Sequence, residues 1–214
     1  MSAVLGLDGC RGGWIGALVE GDQVGWLRLP DIRAALVLDV ASVGVDMPLG
    51  LPETGRRECD VLAKRELGRA HPRVFLAPPR GVLAASTYAL ARPLHRDLTG
   101  GLGMSAQTWG LVAKIREVDA HADDPRLVEV HPELSFALLA GRVLASKHAA
   151  AGLEERRRAL QQWLPGLEEV PWGDDGLDAL VVAWSATRWL AGSARTLPAD
   201  PPVDACGRPM RIVT

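Results

Sequence analysis

The 214-residue sequence contains no uninterrupted apolar run of the roughly 18 residues that a membrane-spanning helix needs. It also opens without the basic segment and long apolar core that are typical of a secretory signal peptide. The three cysteines, Cys10, Cys59 and Cys206, form no Cys-x-x-Cys pair, and an odd number cannot all be bridged to one another. We therefore expect a cytoplasmic protein with reduced thiols and no membrane partner.

A strong charge of either sign is also missing, because 24 basic residues face 26 acidic ones and leave a net charge of −2. This balance argues against a generally basic nucleic-acid-binding surface, but it leaves room for a local one. Residues 54–96 form such a region, with nine basic residues against three acidic ones. The candidate phosphate-binding residues are Arg57, Arg65, Arg73 and Arg80, with Gln107 and Lys114 on one face of a later predicted helix. A solvated helix face would show the same excess of charge.

The apolar runs and turn residues of the first fifty positions predict strand, strand, strand, helix, strand. Residues 3–8 have the pattern of a buried strand, and Glu20-Gly21-Asp22 has that of a hairpin turn. Asp31 is placed to cap a short helix, and "SVGVDMPLGLP" returns to a strand. A hairpin followed by a crossover helix and a further strand indicates an α/β fold, in which ligands bind beyond the carboxyl ends of the parallel strands.

The remainder of the chain predicts mainly helices with one further internal strand. The predicted helices are 55–68, Val82–Ala91, one beginning after Ser105, 133–140, 152–163 and "GLDALVVAWSATRWLAG". A strand over "RLVEV" must end before Pro132, because the residue that precedes a proline avoids the α region. The closing segment "GRPMRIVT" predicts an edge strand.

Acidic residues follow or end several of these apolar segments. Asp8 ends the first predicted strand, Asp46 ends the fourth, Glu129 lies near the end of "RLVEV", and Asp178 lies in the first turn of the last helix. Two carboxylates at the ends of neighbouring parallel strands repel each other unless a cation lies between them. Hard cations such as Mg²⁺ bind carboxylates, and two ions about 3.5–4 Å apart promote phosphodiester displacement. Each acid on its own also fits a turn, a helix terminus or a salt bridge.

Six blocks of the sequence carry a family resemblance. In chain order they are "GLDGCRGGW", "VDMPLGLP", "RRECD", "MSAQTWGLVAKIREVD", "EVHPELSF" and "GLDAL". Together they resemble a family of predicted RNase H-like nucleases that carries the label domain of unknown function 429. The resemblance covers essentially the whole chain. It implies one RNase H-like domain over 1–214, with a mixed five-stranded sheet of three antiparallel strands followed by parallel strands, flanked by helices. It also implies a helical insertion after strand 4, at about 53–104.

The same resemblance implies a metal-dependent nuclease. Asp8, Asp46 and Asp178 would hold two Mg²⁺ or Mn²⁺ ions, with Glu129 as a further catalytic residue or Glu133 in its place. His131 is a candidate general base or a structural histidine. The substrate would be a nucleic acid, either DNA or RNA. Two other functions stay open: a phosphotransferase of the actin-like or sugar kinase type, which would need a homodimer to complete its cleft, and a non-catalytic binding module.

Overall fold

The computed structural model describes residues 2–214 and has an α/β architecture, as the sequence predicts. Met1, the first residue of the predicted domain, lies outside the described residues. The strands are β1 (Val4–Cys10), β2 (Gly13–Glu20), β3 (Gln23–Leu29), β4 (Ser42–Val45), β5 (Leu127–Glu129), β6 (Thr196–Leu197) and β7 (Ile212–Val213). The helices are α1 (Ile32–Leu36), α2 (Glu58–Leu67), α3 (Tyr88–Leu98), α4 (Ala106–Asp119), α5 (Pro132–Ala140), α6 (Ala150–Trp163) and α7 (Asp174–Leu190).

The chain divides into two compact units. The first runs up to Met47 and continues over 124–195 and 213–214, so that it contains β1 to β5 with α1, α5, α6 and α7. The second comprises 48–123 and 196–212 and contains α2, α3 and α4. The helical insertion predicted at about 53–104 lies within the second unit. That the whole chain is a single RNase H-like domain stays a prediction.

The sheet of the first unit has the strand order β3-β2-β1-β4-β5. Strands β1, β2 and β3 pair antiparallel, and β4 and β5 join them in parallel. Asp31 caps the crossover helix α1, because its Oδ1 accepts a hydrogen bond of 2.9 Å from the Ala34 amide. The predicted mixed sheet of three antiparallel strands followed by parallel ones is therefore confirmed.

Helix α7 packs directly on one face of this sheet because two central strand positions have no side chain. A Cβ atom on Gly6 would lie 2.1 Å from the Ala179 carbonyl oxygen, and one on Gly44 would lie 2.7 Å from Val182 Cγ1. On the neighbouring strand β2, Ile15 fills the same face and belongs to the core cluster that contains much of α7. The two glycines thus set how closely the helix approaches β1 and β4.

One predicted helix was wrong. The range Val82–Ala91 is divided between a 3₁₀ helix at Arg80–Ala84 and α3, which begins at Tyr88. Thr87 separates the two, because its hydroxyl accepts a hydrogen bond from the Leu90 amide at 3.3 Å and caps α3. Among the described residues, no helix has both the length and the apolar character needed to cross a membrane.

We expect the close approach of α7 to make Gly6 intolerant of a side chain. Gly6→Ala places a methyl group against helix backbone that cannot move aside, and should destabilise the protein by about 3 kcal/mol or more. The matched control is Gly25→Ala in β3, whose new Cβ would lie 3.8 Å from its nearest neighbours and should cost less than about 1 kcal/mol. Urea unfolding measures both. Equal losses for the two variants would contradict this account of the packing.

Candidate functional site

Asp8 and Asp46 lie side by side on two adjacent parallel strands. The register pairs Leu7 with Val45, and the Asp46 amide donates a hydrogen bond of 3.1 Å to the Leu7 carbonyl just beyond the end of β4. Because side chains alternate along a strand, Asp8 shares the face of Gly6 and Asp46 shares the face of Gly44. Both carboxylates therefore point to the side of the sheet that α7 covers.

The ends of the elements differ slightly from the prediction. Asp8 does not end its strand, because β1 continues to Cys10 in its hairpin with β2. The parallel ladder with β4, however, stops at Leu7. Asp8 is thus the first residue of β1 beyond the parallel ladder, where an edge of the sheet is open to a ligand.

Asp178 comes to the same place from α7. The helix begins at Asp174, so that Asp178 lies in its second turn rather than its first. The next residue, Ala179, is the one whose carbonyl lies over Gly6. The contact that brings α7 onto β1 therefore also brings Asp178 beside Asp8, and Asp178 is only 3% exposed.

A lysine that the sequence did not single out is bound to this group of carboxylates. Lys147 Nζ donates to Asp178 Oδ2 at 2.6 Å and lies 3.2 Å from Asp174 Oδ2. The other oxygen of Asp178, Oδ1, is buried and has no hydrogen-bond partner within the described chain. A buried carboxylate oxygen without a partner is costly unless a cation or a donor reaches it.

The pKa values of the three aspartates are raised by burial first and by the charges of neighbouring acids second. Burial, followed by the charge of Asp178, raises the pKa of Asp46 to about 8. Burial raises the pKa of Asp178 to about 6 against the opposing charge of Lys147. Burial and the charges of Asp46 and Asp178 raise the pKa of Asp8 well above its usual range. At neutral pH the raised pKa of Asp46 favours its protonated form, and further positive charge beside the group would favour its ionisation.

The donor set fits a hard divalent cation. Carboxylate oxygens are the ligands that Mg²⁺ and Mn²⁺ prefer, and Asp178 Oδ1 is a buried oxygen that lacks a partner. Within the described part of the chain, the three aspartates do not present one oxygen each at mutual distances below 4.8 Å. Asp178 is held in its ion pair with Lys147, so binding of a cation by all three requires a local rearrangement of these side chains.

Glu129 leaves the sheet on the opposite side. Glu129 pairs in register with Val45, which lies between Gly44 and Asp46 and therefore faces away from α7. Its neighbours Val128 and Val130 pack with the α7 residue Val182, as the alternation requires. The charge of Glu129 still contributes to the raised pKa of Asp46. The structure does not bring the predicted catalytic Glu129 onto the face of the three aspartates.

Glu133 has a cation of its own. Its Oε1 accepts a hydrogen bond of 2.5 Å from Arg156 Nη2, and Arg156 is fully buried. A carboxylate that is already neutralised in this way is a poor candidate for a fourth metal ligand. His131 ends the segment before α5, and its carbonyl accepts a hydrogen bond from Ser135 Oγ at 3.2 Å.

Two of the predicted phosphate-binding arginines have structural roles within the second unit. Arg57 is 3% exposed, lies 2.5 Å from Asp60 and donates to the Gly50 carbonyl at 3.1 Å. Arg80 binds Asp119 at 3.0 Å and the buried carboxylate of Asp204 at 2.5 Å. These guanidinium groups are engaged by acids of the same unit, so phosphate would have to displace those acids.

The other four predicted residues differ in exposure. Arg65 and Gln107 are exposed, and Arg73 is half-buried. Lys114 is half-buried and lies 3.1 Å from Glu117. Of the predicted set, Arg65 and Gln107 are therefore the residues that present most of their polar surface to solvent.

Lys147 and Arg156 were missed by the sequence analysis. Lys147 lies 31 positions from Asp178, in a segment without a helix or strand pattern, and Arg156 lies 23 positions from Glu133. Pairings at such separations leave no local signal. A basic residue whose partner is a buried acid looks, in one sequence, like any solvated charge.

The raised aspartate pKa values predict that metal-free protein loses stability as the pH rises. Between about pH 4, near the usual aspartate pKa of 3.8, and about pH 8, Asp46 keeps its proton in the native state and releases it in the unfolded state. The native state therefore becomes less stable relative to the unfolded state as the pH rises through this range. Asp46→Asn removes an unfavourable ionisation and should stabilise the metal-free protein at pH 8 by about 1–3 kcal/mol, with little effect at pH 4.

Urea unfolding in the presence of a chelator measures this difference. The control is Asp97→Asn, which changes an exposed carboxylate on α3 and should leave the pH dependence unchanged. A loss of stability for Asp46→Asn of equal size at both pH values would contradict the electrostatic account.

Comparison with known proteins gives a family but no close relative. No curated protein and no solved structure matches the chain significantly. One family model does match, with the description "Protein of unknown function (DUF429)", and it covers residues 6–203. The matched range contains Asp8, Asp46, Asp178 and Lys147 together with nearly every element of both units. The chain therefore belongs to the DUF429 family of proteins of unknown function.

Proposed function

We propose that this protein is a metal-dependent nuclease of the RNase H-like type, which hydrolyses phosphodiester bonds with Mg²⁺ or Mn²⁺ as cofactor. The observation that supports this proposal is the meeting of Asp8, Asp46 and Asp178 on one face of the sheet. They come from β1, from the end of β4 and from α7. Burial raises the pKa of each, and the charge of Asp178 raises the pKa values of Asp8 and Asp46 further.

The order of the elements supports the same proposal. The resemblance to RNase H-like enzymes implies one acid from strand 1, one from strand 4 and one from a late helix. Here those positions belong to three elements that are far apart along the chain but adjacent in the fold. A structural role for each acid separately, in a turn or at a helix terminus, does not explain why all three share one face.

In the proposed reaction, the oxygen of a water molecule bonds to phosphorus, the bond from phosphorus to one nucleoside oxygen breaks, and that oxygen leaves with a proton. When bound, a divalent cation would supply positive charge that activates the water and offsets the charge developing on the phosphate and leaving oxygens. Asp8, Asp46 and Asp178 would hold that cation. The Lys147 ammonium remains beside Asp178, where it adds a fixed positive charge to the site.

The proposed partner is a nucleic acid. The excess of basic residues in the second unit favours a nucleic-acid partner. We assign the phosphate contacts to those residues whose side chains are exposed to solvent. These are Arg56, Arg65, Arg69, Arg92 and Arg96, with Gln107 as an uncharged donor. Contacts of this kind bind phosphate without reading sequence, so we expect binding that weakens as salt increases.

We expect purified protein to cleave at least one nucleic acid with Mg²⁺ or Mn²⁺ and not with a chelator. The panel is single-stranded DNA, duplex DNA, single-stranded RNA, an RNA–DNA hybrid and a four-way junction, resolved on denaturing gels. Asp8→Asn and Asp178→Asn each remove one negative charge from the site and should lower cleavage at least about 100-fold.

The matched control is Asp97→Asn, which should cleave at the wild-type rate. Cleavage that survives Asp8→Asn would contradict the assigned roles. Stabilisation by a nucleoside triphosphate without any cleavage would favour the phosphotransferase instead. Binding of nucleic acid that is independent of divalent cations, again without cleavage, would favour a non-catalytic module.

A further inference from the structure

Lys147 places an ammonium group inside the group of carboxylates that the proposed function assigns to metal. The Lys147 side chain is 30% exposed, while that of its partner Asp178 is 5% exposed. The ion pair with Asp178 is 2.6 Å long, and the charges of Asp8 and Asp174 also act on the lysine. The acids that act on Lys147 come from two elements: Asp8 from β1, and Asp174 and Asp178 from the first two turns of α7. This distinguishes Lys147 from a surface lysine with a single acidic neighbour.

The backbone that leads to Lys147 is held in place by α6. The Ala145 amide donates to Glu155 Oε2 at 2.8 Å, and the Ala145 carbonyl accepts from Arg156 Nη1 at 2.8 Å. At the next residue, the Ser146 carbonyl lies so close to Gly152 that a Cβ there would be 2.0 Å away. Both backbone polar groups of Ala145, two residues before the lysine, are therefore bound by side chains of α6.

Arg156 links this segment to the rest of the site. It is fully buried, donates to both the Ala145 and the Gly152 carbonyls, and neutralises Glu133. Glu133 in turn contributes to the raised pKa values of Asp46 and Asp178. Glu133 of α5 and Arg156 of α6 thus form a neutral pair. The loop between these two helices supplies Lys147, whose ammonium pairs with Asp178 and Asp174.

The position of Lys147 favours one divalent cation over two at the three aspartates. Its ammonium is already bound by two carboxylates, at 2.6 Å from Asp178 Oδ2 and 3.2 Å from Asp174 Oδ2. A second divalent ion beside Asp178 Oδ2 would be repelled by this positive charge at short range. Two metal ions also need to lie about 3.5–4 Å apart, and one position next to Asp178 is taken by Lys147 Nζ.

We propose that the Lys147 ammonium takes the place of one of the two metal ions, so that the site binds a single divalent cation. This inference rests on the proposed function, because it concerns the same three aspartates. It departs from the two-ion site that the sequence resemblance implies. In this arrangement Lys147 is a positioning residue: it holds Asp178 Oδ2 and leaves the buried Oδ1, which has no hydrogen-bond partner within the described chain, as the oxygen that would bind the one metal ion.

The experiment counts bound Mn²⁺ by isothermal titration calorimetry and by electron paramagnetic resonance of the saturated full-length protein. We expect one Mn²⁺ per chain for the wild type, with no spin coupling between ions. Lys147→Met removes the ammonium and should admit a second Mn²⁺, whereas Lys147→Arg keeps the charge and should still bind one. Lys114→Met is the matched control, because Lys114 pairs with Glu117 outside the site, and it should also bind one.

Each count decides between the proposals. Two spin-coupled Mn²⁺ ions in the wild type would overturn the inference while leaving the proposed function intact. One Mn²⁺ in both the wild type and Lys147→Met would overturn it as well. No bound Mn²⁺ in the wild type would contradict the proposed function itself. If Lys147→Met does not fold, Lys147→Gln replaces it, and the wild-type count stands by itself as a test of one ion against two.

Discussion

The close contact between α7 and the centre of the sheet is the constraint from which the candidate site follows. Gly6 and Gly44 have no side chains, so the helix backbone lies directly against β1 and β4. Two positions further along each strand, on the same face, are Asp8 and Asp46, and one position before the contact on α7 is Asp178. Because the backbone of α7 packs against the two glycines, the three carboxylates lie near one another just beyond the last pair of the parallel ladder, Leu7 and Val45.

This arrangement costs stability. Carboxylates that are withdrawn from water and lie near other acids favour the protonated state, as the pKa values of about 8 for Asp46 and about 6 for Asp178 indicate. A fold selected for stability alone would place amides or apolar groups there. Strain of this electrostatic kind is typical of sites that bind a cation or carry out proton transfer, where a ligand compensates it. Lys147 compensates part of it in the metal-free protein.

Much of the fold could be predicted from the sequence because its signals are local. Alternating apolar residues, the Glu20-Gly21-Asp22 turn and the Asp31 cap each involve residues close together in the chain, and the predicted sheet is confirmed. The helix predicted at Val82–Ala91 was wrong, because the cap at Thr87 begins a new helix in what looked like a continuous one.

The candidate site was predictable only in part. The strand pattern places Asp8 and Asp46 together, since parallel neighbours end at one edge. The alternation of β5 puts Glu129 on the other face, and this follows from the pairing of Val45 with Glu129, which a single sequence does not reveal. A single sequence also does not reveal that Arg57 is buried against Asp60 and is therefore a structural residue. Nor does it reveal that Lys147 pairs with Asp178 in a distant helix.

The most direct test of the central claim is the anomalous diffraction of crystals of the full-length protein soaked in Mn²⁺. The account predicts an anomalous peak about 2.0–2.6 Å from carboxylate oxygens of Asp8, Asp46 and Asp178. A map without a peak at these residues, at a Mn²⁺ concentration that saturates other carboxylate sites, would show that the three aspartates do not form a metal centre.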